Sequence, residues 1–315
     1  MRLASIATEG LLAAAVAAGC GGRPTAPAPG PVRVDATTTI VADLVSRIGG
    51  GDVELQALMG PGIDPHLYKP SAGDVWRLSS ARAVFYSGLH LEGKMGEVFA
   101  EMSRRGVVTV AVADCIPESQ LIRSEGFSGA HDPHCWFDVA LWSRAAECVR
   151  DALSELDPDH AAAYRSRADA YAAELLALDG WVREQIAMLP EERRVLVTAH
   201  DAFGYFGRAY GFDVRGLMGV STAAEAATSD VQQLARFIAE RRIPAVFVES
   251  SVPPRFIKAL REAVAARGFE VAIGGSLYSD ALGDPDGPAA TYPGMVRSNV
   301  ETITRALAEK GEAEP

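Results

Sequence analysis

Positive charge is in short supply. Lys and Arg number 30 against 41 Asp and Glu, for a net charge of −11. Nucleic acid and anionic membrane surfaces both attract cationic proteins, so neither is an expected partner. No HExxH helix and no G-x-S-x-G elbow occurs, which removes two sequence signatures of hydrolytic enzymes. The apolar N-terminal segment is too short for a permanent membrane span. Cysteine is scarce, with Cys115, Cys135 and Cys148 the only ones after Cys20. In an oxidising compartment these allow one disulfide and leave one thiol over, and sequence alone does not choose the pair.

What is present is enough for a folded protein. The 315 residues are 48% hydrophobic and 23% charged, a chain long enough for one or two domains. Residues 1–20, "MRLASIATEGLLAAAVAAGC", have an early Arg, an apolar Leu/Ala stretch and small residues before a cysteine. They read as an export signal of lipoprotein type, with a plain secretory signal or a structural helix as alternatives. Residues 21–31, rich in Pro, Ala and Gly, read as a flexible tether.

From Val32 onward, β-branched runs alternate with helical spacing: "VRVDA", "VELQALM", "AVFYSG" and "VVTVAVA" are strands, with amphipathic segments between them. That alternation predicts a parallel sheet with crossover helices. Residues 158–189 are rich in Ala, Glu, Arg and Leu and predict one long helix with Pro190 just beyond its end. The alternation then resumes through "RVLVTAH", "AVFVES" and "EVAIGG". The expected fold is α/β, with two lobes (32–157 and 190–315) joined by that helix. Each lobe is expected to hold a parallel four-stranded sheet flanked by helices.

Ligands of such sheets collect at the carboxyl ends of the strands, and the polar residues there are His66, His131, His134, His200 and Asp280. Taken singly, each has an ordinary explanation: a solvated loop histidine, a core histidine, a helix cap. Taken together, three imidazoles and one carboxylate suit a divalent transition metal. Either His131 or His134 could supply the second corner. Four protein ligands would close a tetrahedral shell, which favours holding an ion over performing chemistry on it.

Six stretches carry a resemblance: "DPHLYKPSAGD", "FYSGLHLEGKM", "DPHCWFDV", "VTAHDAFGYFGRAYGF", "FVESSVPPRFIKAL" and "LYSDALG". In this order they resemble the metal-binding class of periplasmic solute-binding proteins that serve zinc and manganese ABC transporters. The resemblance covers roughly residues 32–310. It implies His66, His134, His200 and Asp280 as ligands and leaves His131 beside the site. Ligating imidazoles commonly need an outer hydrogen-bond partner, and Glu249 and Asp138 are the candidates for that role. Histidine at the third position is what the resemblance associates with Zn²⁺, with Mn²⁺ as the alternative. It further implies a non-enzymatic, monomeric carrier in the periplasm or on the outer face of the cytoplasmic membrane, anchored through Cys20 if that residue is lipidated. The carrier would dock on an ABC permease, with a metallochaperone as a further candidate partner. Rival readings are a metal-binding adhesin or buffer and, remotely, a zinc hydrolase.

Overall fold

The computed structural model describes residues 30–124 and 131–308. The expected signal, Cys20 and the tether up to residue 29 lie outside the described residues. The first half builds β1 (Val32–Ala36), α1 (Thr39–Gly49), β2 (Val53–Ala57), α2 (Ala72–Ser79), β3 (Ala83–Tyr86), α3 (Gly96–Arg104), β4 (Val108–Ala111) and α4 (Val139–Leu156). Its four strands form one parallel sheet in the order β2-β1-β3-β4. Helix starts are encoded locally. The Thr38 side chain accepts from the Val41 N–H, Ser71 and Asp74 form a reciprocal capping box, and Asp138 accepts from the Leu141 N–H. Each satisfies donors that a helix end would otherwise leave open.

The long helix is α5 (Ala161–Ala187), preceded by a 3₁₀ turn at Pro158–His160. It therefore begins slightly later than the sequence suggests, because Pro158 and the Asp157–His160 contact of 2.7 Å fix a tighter first turn. Tyr164, Ala168, Tyr171, Leu175, Leu178, Val182 and Ile186 recur at steps of three and four and are buried. That stripe packs against α1, α4 and the C-terminal helix α9 (Tyr292–Ala308).

The second half adds β5 (Val195–His200), α6 (Gly204–Tyr210), β6 (Asp213–Met218), α7 (Thr228–Arg241), β7 (Ala245–Glu249), α8 (Arg255–Ala265) and β8 (Ala272–Leu277). All four expected strands are present. They are hydrogen-bonded as two parallel pairs, β5-β6 and β7-β8, with β5 beside β7. At the end of this central seam the Glu249 side chain takes the His200 N–H. Within the β7-β8 pair the register shifts between Val246 and Phe247.

One apolar core runs from β1 and β3 through α1, α4, α5, α6 and α9. A second lies between the second-half strands and α7 and α8, and a third lies under α2 and α3. Residues from Pro31 onward cluster as a single unit. Bonds tie the loop after β8 to the first half: Leu282 N–H donates to Thr39 Oγ1 at 2.8 Å, and Trp136 Nε1–H donates to the Ser279 carbonyl at 3.0 Å. Cys115 and Cys148 form a disulfide, which leaves Cys135 as a buried thiol.

Candidate metal centre

Each half contributes two polar side chains at strand ends. His66 follows β2 and His134 follows β4, each as the last residue of an Asp-Pro-His turn. The turns share one local design. Asp64 Oδ1 accepts the His66 N–H and Asp132 Oδ1 accepts the His134 N–H, both at 2.9 Å. An Asp bonding the backbone two residues on, with a φ-restricted proline between, is a self-contained way to fix a turn. His200 ends β5, and Asp280 lies in the loop after β8.

These four residues converge. One ligating atom from each lies within 4.8 Å of all the others, and every one of the four is buried. His134 Nε2 is 3.3 Å from His66 Nε2, 3.4 Å from His200 Nε2 and 3.3 Å from Asp280 Oδ1. His200 Nε2 is 3.5 Å from the same oxygen. Donors about 2.0–2.1 Å from a zinc ion stand about 3.3–3.4 Å apart at the corners of a tetrahedron. These four separations thus match a cation-sized centre.

Hydrogen bonding points the same way. His134 Nδ1 is 2.7 Å from Asp132 Oδ1, and His200 Nδ1 is 2.5 Å from Glu249 Oε2. When His134 Nδ1–H donates to Asp132, its Nε2 presents a lone pair to the centre, and the Glu249 carboxylate beside His200 Nδ1, an ion-pair contact, favours a proton on the same nitrogen there. Asp280 Oδ1 faces those lone pairs with no hydrogen-bond partner among the described residues. Buried lone pairs aimed at one another repel, and a cation between them removes the repulsion.

The electrostatics divide the three imidazoles. Burial pushes His66 down to about 3, outweighing the pull of Asp280, so its ring is neutral and ready to ligate. Burial also acts downward on His134, but the charge and hydrogen bond of Asp132 and the charge of Asp280 outweigh it and raise the ring to about 9. For His200 too, burial is overcome by Glu249 and Asp280, and the shift is upward. Asp280, despite burial, is driven down by His200 and His134.

Of the other sequence candidates, Glu249 holds His200 through both the ring and the backbone N–H. Asp138 does not touch a ligating imidazole. It caps α4 and lies 3.6 Å from Arg208 Nη2, because the 3₁₀ turn Cys135–Phe137 carries it away from His134. His131 also stands apart, with Nε2 3.9 Å from Glu118 Oε1 and its backbone bridged to Arg123. Sequence reading missed Asp132 and Asp64. The signal available was the repetition of Asp-Pro-His, whose histidines drew the attention while the aspartates hold them. It also missed Thr222, which donates to Asp64 Oδ2 at 2.6 Å from the opposite half. Gly204 was missed as well: a Cβ there would lie 2.8 Å from Asp132 Oδ2.

Comparison with known proteins agrees with this architecture. The chain is 52% identical over 287 residues to the zinc-binding protein TroA of Treponema pallidum, covering 91% of this chain and 92% of that protein. It is 48% identical over 276 residues to the manganese-binding lipoprotein MntA of Bacillus subtilis, covering 88% and 90%. The solved structure of the Treponema pallidum periplasmic zinc-binding protein superposes with a TM-score of 0.86, covering 89% of this chain and 100% of that one. Residues 34–306 match the model of the family described as zinc-uptake complex component A, periplasmic, and the chain belongs to that family.

Proposed function

We propose that the chain captures one divalent transition metal ion outside the cytoplasm, Zn²⁺ in preference to Mn²⁺, and hands it to a membrane ABC permease. His66, His134, His200 and Asp280 are the ligands, and Asp132 and Glu249 orient two of the imidazoles. The observation that carries this reading is the spacing of the four buried donor atoms, 3.3–3.5 Å from His134 Nε2 to the other three and from His200 Nε2 to Asp280 Oδ1. A site with four protein donors has no position kept open for an attacking water, so its chemistry is binding rather than hydrolysis. Three nitrogens and one oxygen favour zinc over the harder manganese ion.

Delivery to a permease follows from the family and from relatives such as the metal ABC transporter substrate-binding lipoprotein SsaB of Streptococcus sanguinis. No described helix is long and apolar enough to cross a membrane. In this reading residues 1–20 direct export, Cys20 carries a lipid, and 21–31 tether lobes 32–157 and 190–315, with 158–189 between them. The carrier acts as a monomer. Intact mass of Cys20-containing protein from a membrane fraction tests the anchor, and an unmodified cysteine there refutes it.

A manganese reading is favoured by the 48% identity to a protein named for manganese. One experiment separates the two: metal analysis of protein purified without chelator, followed by competition between the ions. Zinc at one equivalent, retained against excess manganese, is the expected result. Retention of manganese in preference would overturn the choice of ion, and uptake of neither would overturn the function.

A further inference from the structure

Asp280 reaches the centre with one oxygen. Its other oxygen, Oδ2, accepts from Ser251 Oγ at 2.8 Å and lies 3.4 Å from Ser279 Oγ, and the two hydroxyls are 2.8 Å apart. The two short contacts are met when Ser279 donates to Ser251 and Ser251 donates to the carboxylate, which leaves the 3.4 Å approach of Ser279 without a proton of its own. Both serines are buried. The Ser279 carbonyl is in turn held by Trp136 Nε1–H, and the Trp136 carbonyl accepts from Tyr292 Oη at 2.6 Å. The loop carrying Asp280 is therefore pinned from both halves, and the carboxyl group is prevented from rotating by a buried hydroxyl. Ser251 stands two residues beyond Glu249, so the end of β7 holds His200 with one side chain and Asp280 with another.

Metal preference depends on how many donors a site offers and of what kind. Zinc accepts four mixed N/O donors in a tetrahedron, whereas manganese suits octahedral, oxygen-rich shells. A carboxylate free to bring both oxygens to the ion raises the coordination number and the oxygen share together.

We propose that Ser251, backed by Ser279, is a specificity-determining positioning residue: by occupying Asp280 Oδ2 it keeps the carboxylate monodentate and the centre four-coordinate, which discriminates against manganese. The inference rests on the metal-binding reading above and deepens it. Neither hydroxyl touches the ion, so the effect passes through the orientation of Asp280.

The test compares the wild type with Ser251→Ala, Ser279→Ala, the double alanine variant and Ser251→Thr, which retains a hydroxyl. Zinc and manganese dissociation constants are measured by chelator competition, and the visible absorption of the cobalt(II)-substituted protein reports coordination number independently. The ratio of manganese to zinc dissociation constants is expected to fall by about tenfold in the double variant, in the range of losses seen for outer hydrogen-bond partners of metal ligands. The intense bands of four-coordinate cobalt are expected to weaken, and Ser251→Thr to restore both properties. Should the double variant fail to fold, Ser279→Ala alone is expected to move both readouts in the same direction by less. An unchanged ratio and an unchanged cobalt spectrum in the alanine variants would overturn this inference alone. A wild type that binds neither ion would overturn it together with the function on which it rests.

Discussion

Among the residues, His134 is the hub. Its Nε2 lies 3.3–3.4 Å from a donor atom of each of His66, His200 and Asp280, and its Nδ1 is anchored by Asp132. His134→Ala is therefore predicted to cost more than the roughly 10–100-fold typical of losing an outer partner. Asp280→Ala is predicted to cost less, because three nitrogens remain and water can complete the shell; isothermal titration that finds equal or reversed losses would contradict this ordering. The pH dependence is also set here. Histidine must shed its ligating proton to bind metal. On sequence alone, affinity is expected to fall only below about 6.5, the ordinary histidine value. With the His134 ring raised to about 9, its proton is present at neutral pH in the metal-free chain and must be displaced. Zinc affinity is accordingly predicted to climb as pH rises from 6 toward 9, with proton release measurable as a buffer-dependent binding enthalpy. An affinity flat across that range would refute the prediction. The four positions that the structure brings together were readable because histidines and an aspartate stood at predicted strand ends. Their partners were not, since nothing in the spacing of Thr222 or Ser251 announces a contact across 158 or 29 residues, or in that of Asp132 even one across the two-residue Asx turn.

Among the elements, the strands and their carboxyl-end loops place the ligands, and the turns lock them. Asp64 serves two halves at once, accepting the His66 N–H and the Thr222 hydroxyl. Thr222→Val removes that bridge. A hydrogen bond to a charged group is worth about 1.5–3 kcal/mol, and about 1.4 kcal/mol is tenfold in rate or equilibrium. Zinc release followed by stopped-flow chelator capture is predicted to speed up about tenfold in this variant, and an unaltered rate would show that the bridge does not gate the ion. The Cys115–Cys148 bridge ties the segment after β4 to α4, 33 residues away. Closing a loop of that length stabilises by about 3–4 kcal/mol on the chain-entropy account. A Cys115→Ser/Cys148→Ser variant is predicted to lose about that much in urea unfolding, whereas a loss near zero would mean the bridge does not form. The alternation of strand and helix was legible because period-2 and period-3.6 patterns differ sharply. The division of the second-half strands into two pairs was not, because period-2 patterning marks a strand without naming the neighbour it bonds.

At the level of the whole molecule, a continuous core through α1, α4, α5 and α9 leaves little freedom for the halves to swing apart. The Leu282–Thr39 and Trp136–Ser279 bonds add direct ties beside the site. On the proposed function, loading would tighten a preformed centre, with the long helix as a stiff support. The long helix was evident from composition, but its burial against α1, α4 and α9 was not, since sequence periodicity shows a buried stripe without naming what covers it. The most direct test of the account is anomalous diffraction at the zinc edge from crystals of the chain loaded with one equivalent of zinc. The account predicts one peak, about 2.0–2.1 Å from His66, His134, His200 and Asp280. A peak elsewhere, or one reached by fewer than three of these side chains, would contradict it.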